Sequence, residues 1–253
     1  MYLICLDPGH QSTPNADTGC SGFGVAEQDI VLDICKRAKL LIELNEIKVI
    51  MTRDGATVNG DGSSLNASLN TRCQIANNAK ADLFLSVHCD AFNTKAYGTT
   101  CHVFGLGGNA ERFAKILNPM MGNIFYNRGI KVSNFAVIRD TNMPAVLLET
   151  AFLDNKDDNA KLANANIRQQ IAVNIAKSVC IYFGVTYKGG VVNKVADVVT
   201  KVDKDVYLSV RVLESKADAV AKQIIAMGYA CKLLSLAWFV SNLQNNIESK
   251  RSN

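Results

Sequence analysis

Nothing in this sequence is long and apolar enough to read as a membrane-crossing helix, since no uncharged apolar run reaches the ~18 residues such a helix needs. Met1 runs straight into a core-like stretch, so no leading segment of the basic, apolar and small-residue kind that directs export is expected. The expectation is synthesis in the cytoplasm without a signal peptide, with any action outside the cell following release. No cysteine pair has the short spacing of a metal or redox motif. The 8 cysteines are scattered, and Cys5, Cys35, Cys73, Cys89, Cys101 and Cys180 fall in apolar or helical patterns, as small buried hydrophobes do. Proline is scarce, 4 in 253 residues, and there is no low-complexity run, so the 48% of apolar residues must build ordinary packed domains. Charge of one sign is also lacking: the formal excess is +4, all of it beyond residue 184. That suits contact with an anionic polymer and is too little to indicate nucleic acid.

What the chain does have is a repeated design. Residues 2–6 form an apolar run that stops at Asp7-Pro8-Gly9-His10, where proline removes a ladder donor and glycine allows a sharp turn. Residues 83–87 run into His88, and residues 145–148 run into Glu149. Unalternating apolar runs of this length are what a parallel sheet covered on both faces requires. In an open α/β sheet, ligands collect beyond the carboxyl ends of the strands, so His10, His88 and Glu149 should meet at one edge. From Glu27 onward, Ile30, Val31, Ile34, Ala38, Leu41 and Ile42 recur at helical spacing, which turns Glu27 inward with them. A carboxylate facing a core needs a partner, and a divalent cation would serve. Two imidazoles and a carboxylate, with a fourth position left for water, suit a catalytic rather than a structural zinc. Glu149 is then placed to move the proton.

The spacing predicts a loop at residues 11–26, a strand at 47–51, a helix near 69–79, a strand at 99–104 that contains a structural His102, and a helix at 110–125. A short edge strand at 134–139 and one covering helix at 159–183 complete the sheet. The fold class expected is α/β, a mostly parallel twisted sheet with helices on both faces, plus a small C-terminal α+β domain. Boundaries follow at residues 1–184 for a catalytic domain, 185–205 for a linker and 206–253 for a separate domain.

These residues also resemble a known family. Asp7-Pro8-Gly9-His10, Glu27, Thr52-Arg53-Asp54, Leu69 with Arg72 and Ala76-Asn77, Ala81 through His88, Arg128-Gly129, and Met143 through Glu149 are similar to zinc-dependent N-acetylmuramoyl-L-alanine amidases of the amidase_3 type. The resemblance covers residues 1–184. It implies zinc (Zn2+) held by His10, Glu27 and His88, Glu149 as catalytic acid/base, and cleavage of the muramic acid–L-alanine amide of peptidoglycan, as an endolysin or sporulation-associated autolysin would do. Two departures stand out: Gln11-Ser12 replaces the usual Gly-Gly after the first histidine, and Asp90-Ala91 replaces Asn-Ala after the second. Asp90 is expected to hydrogen-bond a zinc histidine. Residues 207–212 with 216–233 are similar to one half of a sporulation-related peptidoglycan-binding repeat, which implies a wall-binding domain that is either degenerate or completed by a second copy in a homodimer. Two other readings are open: a cysteine amidase or peptidase using Cys20 or Cys89 with a histidine, and a non-catalytic wall-binding protein.

Overall fold

The computed structural model describes residues 1–12, 17–60 and 63–188. The expected 206–253 domain, with its half-module and dimer, and the linker from 189 onward lie outside the described residues. Val185 N donates to Cys180 O at 2.8 Å and Lys188 N to Asn45 Oδ1 at 2.7 Å, so residues 185–188 run on along the body of the fold.

The chain begins with strand β1 (Leu3–Pro8), a small hairpin of β2 (Ser21–Gly22) and β3 (Val25–Ala26), helix α1 (Glu27–Glu43) and strand β4 (Lys48–Met51). Then come α2 (Leu65–Asn78), β5 (Leu83–Asp90), β6 (Thr99–Val103), α3 (Asn109–Met121), β7 (Asn127–Val132) and α4 (Ala136–Arg139). Strand β8 (Ala145–Phe152) and helices α5 (Lys156–Ala163) and α6 (Ala165–Phe183) close the fold. The sheet order is β4-β1-β5-β8-β6-β7. Strands β4, β1, β5 and β8 are mutually parallel, whereas β6 is antiparallel to β8 and β7 parallel to β6. The sheet is therefore mostly parallel, with helices on both faces. On one face Cys5, Phe84, Ala145 and Leu147 pack under Cys73 and Ala76 of α2 and Val137 and Ile138 of α4. On the other, α1 lies against β1, β4 and β5 and runs along α6. No helix among the described residues is long and apolar enough to cross a membrane.

Three expectations need correction. Residues 134–139 are not a strand: Val137 and Ile138 both enter the core beside Cys73 and Phe84, which adjacent strand residues could not do from one side of a pleat, so the chain takes a helical turn instead. Residues 159–183 are two helices, because Asn164 ends α5 and its side chain accepts from Asn166 N at 2.9 Å to cap α6. Strand β7 went unseen, since an outer strand with half-exposed Arg128 and Gly129 carries little apolar signal.

One polar group is pinned inside the sheet. Asp7 is fully buried and accepts from Thr52 Oγ1 at 2.5 Å, Arg72 Nη1 at 2.6 Å and Ser86 Oγ at 2.6 Å. Burial alone would raise its pKa, but Arg72 with Ser86 and Thr52 outweighs burial and holds the carboxyl below its usual range. Arg72→Met leaves Asp7 buried without its cation, and removing one partner of a buried pair costs about 3–5 kcal/mol. Because the folded pKa is depressed, this stabilisation is complete above the unfolded value of ~3.9 and lost as pH falls through the folded one. Urea unfolding followed by circular dichroism should show the deficit of Arg72→Met at neutral pH and a narrowing gap toward about pH 3. A deficit under about 1 kcal/mol, or one indifferent to pH, would contradict the pairing.

Candidate active site

Past the end of β1, two buried guanidiniums take hold of the backbone. Arg53 donates from Nε to Pro8 O at 3.0 Å and from Nη2 to Gly9 O at 2.8 Å. Arg72 donates from Nη1 to Pro8 O at 2.7 Å and from Nη2 to His10 O at 2.6 Å. Burial and the nearby Arg72 lower the Arg53 pKa, but only to about 10, so Arg53 remains a cation at neutral pH. Three successive carbonyls are thus satisfied, and His10 is held in the left-handed region at φ 59°. A non-glycine residue there costs about 1–2 kcal/mol, which the clamp sustains. Gly9 admits no side chain, since a Cβ would lie 2.2 Å from His88 Cε1. Gly19, at φ +72°, lets the incoming loop pass so close that a Cβ would lie 2.7 Å from Glu27 Oε2 and 2.7 Å from His10 Cδ2.

The structure brings His10, Glu27 and His88 together. His10 Nε2 is 3.0 Å from Glu27 Oε1, His88 Nδ1 is 3.1 Å from Glu27 Oε1, and His88 Nδ1 is 3.0 Å from His10 Nε2. Neighbouring donors around a tetrahedral ion with bonds of ~2.0–2.1 Å stand ~3.3 Å apart, so this triangle is close to the size a zinc ion needs. Glu27 is held in place by the peptide N–H groups of Cys20 on Oε2 and Cys89 on Oε1, each at 2.9 Å. Burial would raise its pKa, yet the two imidazoles hold it far below the usual carboxylate range. Burial likewise opposes a charged His10, but Asp17 and Glu27 prevail and raise it to about 9.

The carboxylate behind His10 is Asp17, which meets Nδ1 and so directs Nε2 into the site. The expected partner of a zinc histidine, Asp90, does not do this; its carboxylate accepts from Ala91 N at 2.9 Å. Asp17 was invisible in the sequence because it lies in a loop without periodicity. Glu149 stands directly beside His88 in the β5–β8 register. Its Oε2 is buried and has no hydrogen-bond partner among the described residues. Burial pushes its pKa well above the ordinary value, Glu27 and Asp90 push the same way, and His10 opposes them. The result is a carboxyl group whose proton is held more tightly than usual and whose Oε2 is free to carry it. An open groove of about 720 Å³ runs over these groups, with Leu69, Phe135 and Val137 along one wall. His102 stays apart: it is buried in β6, bonds Ser133 Oγ at 2.7 Å, and burial lowers its pKa to about 4.

Neither candidate thiol is set up as a nucleophile. Burial and the Glu27 carboxylate keep Cys20 protonated, and burial does the same for Cys89. Cys20 Sγ points to Cys89 O at 3.4 Å rather than to an imidazole.

Residues 4–180 match the family model Amidase_3, described as N-acetylmuramoyl-L-alanine amidase. An endolysin of Bacillus phage SPP1 is 33% identical over 196 residues, covering 74% of this chain and 68% of that protein. The N-acetylmuramoyl-L-alanine amidase CwlM of Bacillus licheniformis is 31% identical, covering 77% of this chain and 74% of that protein. Among solved structures, the CwlD amidase of Clostridioides difficile, in complex with the GerS lipoprotein, superposes with a TM-score of 0.67 at 26% identity, covering 73% of this chain and 99% of that one.

Protonated, shielded thiols should resist alkylation. Iodoacetamide at mildly alkaline pH is expected to leave Cys20 and Cys89 unmodified in the folded protein, as read by peptide mass spectrometry. Rapid labelling of Cys20 or Cys89 would restore the thiol reading.

Proposed function

The chain belongs to the Amidase_3 family of N-acetylmuramoyl-L-alanine amidases, and from that premise we propose that it hydrolyses peptidoglycan at the amide between N-acetylmuramic acid and L-alanine, with zinc as its metal. The observation that carries the proposal is the triangle of His10, Glu27 and His88 donors beside Glu149, whose Oε2 has no partner among the described residues. Those three residues would hold the ion, which when bound lowers the pKa of a water toward ~7 and polarises a carbonyl. Asp17 fixes the His10 tautomer, and the Cys20 and Cys89 N–H groups fix the Glu27 carboxylate. Glu149 accepts the proton of the attacking water and delivers it to the leaving nitrogen of L-alanine. Leu69, Phe135 and Val137 give the groove an apolar wall for the sugar and lactyl groups.

One equivalent of zinc per chain is expected, measured by elemental analysis. His10→Ala should abolish it, and Asp17→Asn should weaken it ~10- to 100-fold. Glu149→Gln should keep the zinc and lose ~10²- to 10⁴-fold in release of free amino groups from walls. Full zinc in His10→Ala, or near-normal activity in Glu149→Gln, would refute the respective role.

Residues 206–253 are proposed to target the enzyme to the wall, with a second chain completing the half-module. The basic excess beyond residue 184 and the half-repeat support this. A chain ending at Gly189 should still cleave soluble muropeptides and be weaker on intact walls, with the gap closing as salt rises. Equal lysis of walls at low salt would contradict the targeting role.

A further inference from the structure

Because β6 runs against β8 and β7 follows β6, both outer strands begin at the edge where β5 and β8 end. Thr100 lies beside Glu149, and one cross-sheet row reads Leu147, His102, Lys131. Lys131 therefore shares the sheet face of Leu147 and Glu149 and stands two strands away, roughly 10 Å at the ~4.8 Å strand spacing. Between Thr99 and Cys101 the β6–β7 register slips, so that β7 carries an extra residue at Arg128-Gly129, with Gly129 at φ 86°. Such bulges re-aim side chains. Arg128 accordingly lies over the Phe152 ring of β8, with Cζ 5.0 Å from its centroid, and donates from Nη1 to Tyr97 O at 3.1 Å. Its Nε is buried without a partner among the described residues. Both cations act electrostatically on Asp90, a groove residue, yet neither forms an ion pair with any described residue. The groove itself is lined by the carboxylates of Asp17, Glu27, Asp90 and Glu149, and beyond the histidines these two cations at its Asp90 end offer an anionic substrate group an attractive side.

We infer that Arg128 and Lys131 form a carboxylate-binding subsite that reads the free carboxylate of the stem-peptide residue following L-alanine. The assignment rests on the amidase reading above, which places the cleaved nitrogen beside Glu149. From there the next residue lies one ~3.8 Å Cα step further, and a long basic side chain covers the remaining distance to β7. Arg128 offers a planar fork with unused donors, and Lys131 adds a point charge beside it.

The test uses the full, zinc-loaded chain and two soluble muramoyl peptides that differ only in whether the second residue is D-glutamate, with its α-carboxylate free, or the amidated D-isoglutamine. The wild type should favour the free acid by roughly tenfold or more in kcat/KM, the scale of a hydrogen bond to a charged group. In Lys131→Gln and Arg128→Gln the acid-to-amide ratio should fall toward one, mainly through a higher KM for the acid. Lys131 is exposed and can be replaced without disturbing the core, so its variant separates recognition from folding. Equal use of both peptides by the wild type, or an unchanged ratio in both variants, overturns the subsite and leaves the amidase reading standing. No cleavage of either peptide overturns both.

Discussion

Everything at the functional edge hangs on the grip of Arg53 and Arg72 on the turn after β1. Left-handed backbone at His10 is unfavourable by itself, and three adjacent carbonyls in a dry setting would each cost free energy if unpaired. Two guanidiniums satisfy all three, and Arg72 is itself anchored by Asp7 inside the sheet. A histidine at the end of a strand would ordinarily follow the pleat. Here the turn swings it toward Glu27 and His88, and the absence of a side chain at Gly9 lets His88 stand against the turn.

The surroundings then push the two carboxylates apart. Glu27 is surrounded by imidazoles and peptide N–H groups, which stabilise its charge. Glu149, one residue position across from His88, receives none of these contacts and sits among other carboxylates, which favours its neutral form. Two glutamates close together on one sheet edge are thereby pushed in opposite directions, one suited to hold a cation and the other to move a proton. Asp17 completes the division of labour from the loop side, where it orients His10.

Much of this could be read from the residues alone. Strands buried on both faces advertise themselves as unbroken apolar runs, so the ends carrying His10, His88 and Glu149 were legible, as was Glu27 on the inward face of α1. Asp17 was not, because a loop has no period to show which residue comes to meet His10. The services of Arg53 and Arg72 were equally hidden: their partners are carbonyls up to 64 positions away in sequence, with no side-chain pattern to reveal them. Residues 134–139 misled because a short unbroken apolar run suits a strand, while the core wanted Val137 and Ile138 side by side. Asn164 split a long helical pattern by a cap that periodicity does not register.

The claim at the centre of this account is that the clamped turn makes His10 Nε2, Glu27 Oε1 and His88 Nδ1 the three protein ligands of one ion. Diffraction from crystals of the zinc-loaded protein, recorded on both sides of the zinc absorption edge, tests it directly. A single anomalous peak should appear within bonding distance of those three atoms, with no cysteine sulfur among its ligands and Arg53 and Arg72 still on the carbonyls of residues 8–10. A peak coordinated by Cys20 or Cys89, or zinc bound only elsewhere on the surface, would contradict it.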